Sequence, residues 1–480
     1  MNRTHPTPLI ASIILSAAGL APADEIIVPT QMPLSVAIAV AADGDTITLL
    51  PSGSPYQQFP GFAISGKRLT LRGATGNPGD IVLDGAGIDI TLRITNGDGS
   101  LLENLTIRNG RGGAGTDASG AGVWLSNSDV TIRNCVIRDN IIPGADGNGA
   151  GLYGSASSVR VEGCLIENNT CPSTSADGLG VYMNGGNHTF VDTVLRSNGV
   201  SANIVPTNSA IGGGFYADGG TAFFARCHFE GNRSGLGGGI GVSGSMTLTI
   251  DHCVFEDNAS RYGAGLYITN AAGGGTSRVR NSVFVGNSTS VNDAAMYLDK
   301  PAILTNLTVV GNTAAGSYIV GGNAAVGTVW MDNCIFSGNT YNVSNGIFPS
   351  STPDRVRSCI LQQAYAGASG STGNRVVDPT FVNAATRDLR LMPGSPAIDA
   401  GNGDLYFGPF ADLDGNDRAV DDPDTADTGF SITGPVIDIG AYEFQIAPPP
   451  PACPADFNQD GGIDGSDIES FFAAWESGSC

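Results

Sequence analysis

Near its C-terminal end the chain reads DFNQDGGIDGSD, starting at Asp456. Asp456, Asn458 and Asp460 fall at positions 1, 3 and 5 of a 12-residue loop, and Gly461 at 6, where the chain must turn sharply. Gly462 offers its carbonyl at 7, Ile463 fills the apolar position 8, Asp464 stands at 9 and Asp467 at 12. A hard cation takes about six to eight oxygen ligands, and this order wraps them around one point. The chemistry expected is Ca2+ binding. Asp in place of Glu at position 12 shortens the reach and weakens the hold. An acidic turn that binds nothing is the bland alternative.

A second set of carboxylates precedes glycine-rich strand starts. Asp117 and Asp146 lie five residues before Gly122 and Gly151, and Asp177 lies three before Gly180. If these starts stack, the three form a column about 5 Å apart. Neighbours at that spacing suit a retaining glycosidase pair, and a skipped coil suits an inverting pair. Calcium between them is equally consistent. Crowded like charges raise one carboxyl's pKa or recruit a cation. The plainer reading is turn aspartates bonding their own backbone. His188 falls on an inward position and reads as a hydrogen-bonded interior residue, not a base. No histidine has metal-ligand spacing.

The elements that would hold these groups come from a repeat. Segments such as NCVIRDN, GCLIENN, RCHFEGN, HCVFEDN and NCIFSGN recur, anchored at Cys135, Cys164, Thr193, Cys227, Cys253, Ser282, Leu307 and Cys334. From Leu105 to Cys359 there are 254 residues over nine intervals, about 28 per repeat. That period means a solenoid, propeller or array. An apolar residue sits two past each anchor, and an apolar pair sits five and three before it, as in Val130 and Ile132. Both pairs have strand period, but the step between them is odd, so the chain turns a corner there. Five past the anchor is Asn in eight repeats, Asn140 to Asn339. Asn tolerates the left-handed conformation of a sharp corner, and stacked amides can bond as in cross-β ladders. Short strands, two corners and no helical period predict an all-β right-handed parallel β-helix of about ten or more coils. A propeller needs about 40 residues per blade. The anchor cysteines then point inward as small apolar groups, free because stacking geometry does not suit a disulfide.

The 480 residues carry 45 Asp and Glu against 23 Lys and Arg, a net charge of −22. That excludes a nucleic-acid partner, which needs a basic face. A polyanionic glycan is repelled unless divalent cations intervene. Residues 1–23 read as a cleaved export signal: Arg3, an apolar run from Leu9 to Ala21, then Ala-Pro-Ala. No other stretch is long and apolar enough to span a bilayer. The mature chain is therefore expected outside the cell or at its surface.

The coil pattern resembles the pectin-lyase-like family of right-handed β-helices. PLSVAIAVAADGDTITLLPSG resembles that family's N-terminal cap. DPTF, LMPGSPAIDAGN, DLDGNDR and DIGAYEF resemble the terminal module of surface β-helix proteins of the choice-of-anchor type. The resemblance spans about residues 34 to 444 and implies a polysaccharide connection. Family members include lyases, hydrolases and adhesins. The Gly-His-Gly and Arg-Ile-Lys motifs of polygalacturonase-type hydrolases are missing. The calcium loop with its following helix resembles one EF-hand repeat of a type I dockerin, which implies a cohesin-like or other anchoring partner. Cys453 and Cys480 bracket this module and suit a disulfide in an exported protein.

The expected organisation is a signal at 1–23, an N-terminal cap and first strand at 24–66, and a β-helix at 67–376. A capping module at 377–445, a Pro-rich linker at 446–452 and the dockerin-like repeat at 453–480 complete it. Two functions stay open. One is a glycan-active hydrolase or lyase; the other is a non-catalytic adhesin or cell-coat protein.

Overall fold

The computed structural model describes residues 24–113, 119–144, 147–172, 175–200, 209–269, 275–316, 318–322, 329–341, 347–349, 353–365, 371–405, 411–432, 434, 436–445, 457 and 465–476. The signal segment, the linker and most of the calcium loop lie outside them.

A typical coil contributes three short strands, such as Val123–Ser126, Val130–Arg133 and Val136–Arg138, the second and third merging into one strand at Ser277–Val285 and Ala302–Val310. The strands of the coils pair in parallel with their counterparts one coil away, as Val130 with Val159 and Ile137 with Ile166, whereas Phe381–Asn383 and Asp388–Leu391 of the module at 377–445 pair antiparallel. The first strands form a ten-stranded sheet from Phe62–Ser65 to Val320–Gly321, and the other two columns join in a 22-stranded sheet. This is the parallel β-helix expected from the period, with one core running inside it. Alternating burial along each strand keeps apolar residues inside. Phe229, Phe255 and Phe284, each two past an anchor, stack with centroids 4.8 and 4.4 Å apart.

The Asn column does more than turn corners. From Asn140 to Asn339, each amide donates to the Oδ1 of the next, at 2.9 to 3.1 Å, in seven consecutive bonds. The same amides also bond main-chain carbonyls two past the previous anchor, such as Phe229 and Phe255. Gly110 N starts the ladder and Gln362 ends it. The left-handed residue is the one before each Asn: Asp139 has φ 55°, Asn168 54° and Ser197 52°. The expectation that Asn itself takes that conformation is corrected. Its side chain must point inward to reach its neighbours, so the preceding residue makes the bend.

The anchor cysteines are buried and free, as expected. They are not merely apolar. The Cys253 thiol donates to Asp251 O at 3.3 Å and accepts from Cys227 N at 3.4 Å. Ser282 and Thr193 make the same bonds with hydroxyls. Any short side chain with one donor and one acceptor fits, which explains the interchange of Cys, Ser and Thr. Burial pushes the Cys135, Cys253 and Cys359 thiols well above the usual range, so they stay protonated donors.

At the N-terminal end, helix α1 (Leu34–Val40) turns Leu34, Ala37 and Ile38 onto the core. Lys67 Nζ bonds the Ile38 and Ala41 carbonyls at its C-terminus, as a cation there should. The module at 377–445 folds back along the flank. Leu389 and Ala441 pack on Val283, Val285 and Val310, while Ala397, Ile398 and Ile439 pack on Ile335 and Ile360. Arg387 bonds Glu256 and Asp257, and Ala441 N donates to Thr308 Oγ1 at 2.9 Å. Among the described residues no helix is long and apolar enough to cross a membrane.

His188 points inward, edge-on to Phe215 at 6.3 Å, and neither ring nitrogen makes a well-aligned hydrogen bond among the described residues. The expected interior hydrogen bond is reduced to a poorly aligned approach to the Gly185 backbone. Burial pulls its pKa down to about 4, with the Gly185 backbone opposing weakly. A neutral native imidazole that charges on unfolding costs stability as pH falls from about 6.5 to about 4, up to roughly 3 kcal/mol. The His188→Leu variant should therefore gain stability relative to the parent across that window in urea titrations. A constant difference from pH 7 to pH 4 would count against it. In the ladder, Asn258→Leu leaves the Asn232 N–H and amide without their acceptor. It should cost about 3 kcal/mol or more in denaturant unfolding; a loss under about 1 kcal/mol would show that the ladder is incidental.

Candidate functional site

Of the three strand-start carboxylates the structure describes one. Asp177 is half-buried; its Oδ1 accepts from Ile211 N at 2.7 Å, and its own N–H donates to Asn148 Oδ1 at 2.8 Å. Asn148 N in turn donates to Ser119 Oγ at 3.1 Å. Asp177 therefore stands in a column with Asn148 and Ser119. Asp117 and Asp146 lie two residues upstream of those partners and outside the described residues. Burial raises the Asp177 pKa to about 6, and the Ile211 N–H partly opposes this. Asp177 thus binds backbone across the coil boundary, and not the local turn backbone of the plainer reading.

Of the calcium-loop residues, Asp456, Asn458, Asp460, Gly462 and Asp464 lie outside the described residues. Asp467 is buried in the first turn of helix α2 (Gly465–Glu476). The helix starts where the loop order requires it. Phe457 meets Phe471 edge-on at 5.6 Å, while Ile468, Phe471 and Phe472 remain exposed. Cys453 and Cys480 lie outside the described residues.

The outward column Arg108, Arg138, Glu167, Arg196, Glu230 and Glu256 yields one cross-coil ion pair between its members, Arg196 to Glu167 at 2.8 Å. Arg108 and Arg138 are register partners of like charge, as are Glu230 and Glu256.

A different outer surface gathers chemistry that sequence reasoning missed. On the 22-stranded sheet, Ile303, Trp330 and Arg355 are register partners, and Arg278 extends that column. Thr305, Asp332 and Arg357 continue Arg280 beside it. Leu405, from the flanking module, closes one side of a cleft of about 190 Å³ over these columns. The Arg355 guanidinium lies 3.9 Å above the Trp330 ring centre, within cation–π range. Buried Asp332 takes Arg357 Nε at 2.9 Å and Arg355 Nη2 at 3.1 Å. Arg280 reaches Asp251 at 2.9 Å. Arg278 is exposed and forms no ion pair among the described residues. The cleft lining thus holds three guanidiniums, of Arg278, Arg280 and Arg355, against one carboxylate, of Asp332, in a chain of net charge −22. Such a cleft favours an anion, and guanidinium forks match carboxylates or sulfates in two-point contact. The sequence signal was the repeated Arg-Val-Arg, at 278–280 and 355–357, on outward positions. A larger hollow of about 390 Å³ beside α1 has no charged residue in its lining.

Among solved structures, pectate lyase Pel9A is 14% identical and covers 86% of this chain and 91% of its own, with a TM-score of 0.44. An alginate lyase from Paenibacillus sp. str. FPU-7 is 14% identical, covers 68% of this chain and 98% of its own, with a TM-score of 0.35. A polygalacturonase from Erwinia carotovora ssp. carotovora is 12% identical and covers 72% and 99% respectively, with a TM-score of 0.35. No curated protein sequence matches the chain. The family described as the right handed beta helix region matches at residues 54–195 and 173–296. Those matches span 243 of 480 residues, counted from 54 to 296, and cover most of the coils traced here. The chain belongs to the right-handed β-helix family.

Proposed function

We propose that the protein binds an acidic polysaccharide on the outer face of its 22-stranded sheet, outside the cell or at its surface. The observation that carries this reading is the cleft of Arg278, Arg280 and Arg355 around Trp330. It reverses locally the acidic balance that would repel such a polymer. Arg278 supplies an exposed guanidinium without an ion-pair partner among the described residues, while Asp332 holds Arg355 in place over the indole. An aromatic and guanidinium surface next to a free cation suits a sugar ring bearing a carboxylate. In the catalytic alternative, Asp177 would supply a proton donor; its pKa near 6 is the observation that favours it.

Attachment through the C-terminal loop is part of the same proposal. Asp456, Asn458, Asp460, Gly462, Asp464 and Asp467 would hold Ca2+, and the exposed Ile468, Phe471 and Phe472 of α2 would face a cohesin-like or other anchoring protein. The export signal at 1–23 would deliver the chain to that partner.

Titration with oligogalacturonate tests the cleft. Arg278→Ala should weaken binding about 10- to 100-fold, the worth of one charge-assisted hydrogen bond. Salt should weaken it further, and a neutral oligosaccharide of equal length should not bind. Equal affinity for both sugars, or an unaffected Arg278→Ala, overturns the reading. Release of shortened or unsaturated products, abolished in Asp177→Asn, would establish the catalytic alternative instead. Calcium calorimetry on the full chain should lose one site in Asp456→Ala and in Asp467→Ala. Unchanged stoichiometry in both variants removes the loop as a calcium site.

A further inference from the structure

Asp399, in the segment SPAIDAG of the flanking module, is fully buried. Its main-chain and side-chain groups organise the segment that follows. The Asp399 carbonyl accepts from Thr428 N at 2.8 Å and Gly429 N at 3.0 Å, and its Oδ2 accepts from Asp422 N at 3.1 Å. Asp399 Oδ1, by contrast, has no hydrogen-bond partner among the described residues. A carboxylate oxygen removed from water and left without a donor is costly, so something absent from the polypeptide should meet it. Two exposed carboxylates converge on the same place: one oxygen each from Asp399, Asp421 and Asp427 lie within 4.8 Å of one another. No lysine or arginine forms an ion pair with any of the three among the described residues.

We propose that Asp399, Asp421 and Asp427 form a calcium site, separate from the C-terminal loop, that pins residues 421–429 to the flanking module. Calcium–oxygen bonds of about 2.3 to 2.6 Å place two ligands on opposite sides of one ion at most about 5 Å apart. The three oxygens meet that limit. The donor set is oxygen only, which selects a hard cation over zinc or copper. Three carboxylates supply the charge, and the exposure of Asp421 and Asp427 leaves room for water ligands. The ion would give Asp399 Oδ1 its missing partner and remove the mutual repulsion of three like charges. It would also fix the ends of a segment that is otherwise tied to Asp399 by four hydrogen bonds and to Arg375 through Thr428.

The test uses the full chain carrying Asp456→Ala and Asp467→Ala, so that the C-terminal loop no longer contributes. Calcium calorimetry on this parent should show a site that is lost, or weakened at least tenfold, on adding Asp421→Asn and Asp427→Asn. Both positions are exposed, so the added variant should fold. Thermal unfolding supplies the second readout. Without calcium the added variant should be as stable as the parent or more so, because repulsion has been relieved. With calcium the parent should melt higher than the variant. Calcium binding unaltered by the two added substitutions, or melting curves that keep the same order with and without calcium, would overturn the site.

Discussion

The structure depends on one constraint: a coil of about 28 residues must close on itself in register with the next, again and again. The buried Asn ladder enforces this. An amide carries both donors and an acceptor on one short stem, so a single side chain can serve the coil before it, the coil after it and a backbone carbonyl. No apolar residue could do so, and a shift of one residue would strand several polar groups at once. Hydrophobic burial supplies the driving force, but it is indifferent to which coil lies beside which. The ladder, with the thiol and hydroxyl bonds at the anchors, makes the stacking specific.

This architecture was legible because it repeats. The anchor positions, the strand pairs on either side and the Asn column each recur often enough to reveal period and phase. What the repeat does not carry was not legible. The left-handed bend at Asp139 and its equivalents falls to whichever residue precedes the ladder, so no single residue type marks it. The poor hydrogen bonding of His188 depends on what surrounds it in the core. The flank position of the 377–445 module rests on outward valines and isoleucines that look like ordinary strand residues in the sequence.

The candidate sites differ in the same way. The proposed calcium loop follows a fixed local spacing, so the proposal reads directly from the chain. The basic cleft joins Arg278, Trp330 and Arg355, which are adjacent only because three coils stack. Strand columns convert distant sequence into neighbouring surface, so a site here is a list of equivalent positions, not a motif. Asp177 illustrates the converse: it looked aligned with Asp117 and Asp146, but one coil's different spacing places it beside Asn148 and Ser119.

A plain solenoid transmits contact only between neighbouring coils, so its ends can fray independently. Here the 377–445 module bonds coils from Glu256 to Ile360, and this changes how the rod would carry a load. Tension applied through the C-terminal tail would reach the flank before the last coil. The module's contacts with successive coils would peel one after another, while the strand ladders beneath would be spared until the brace had gone. Under such a load the flanking module would act as a mechanical fuse between the rod and its tail.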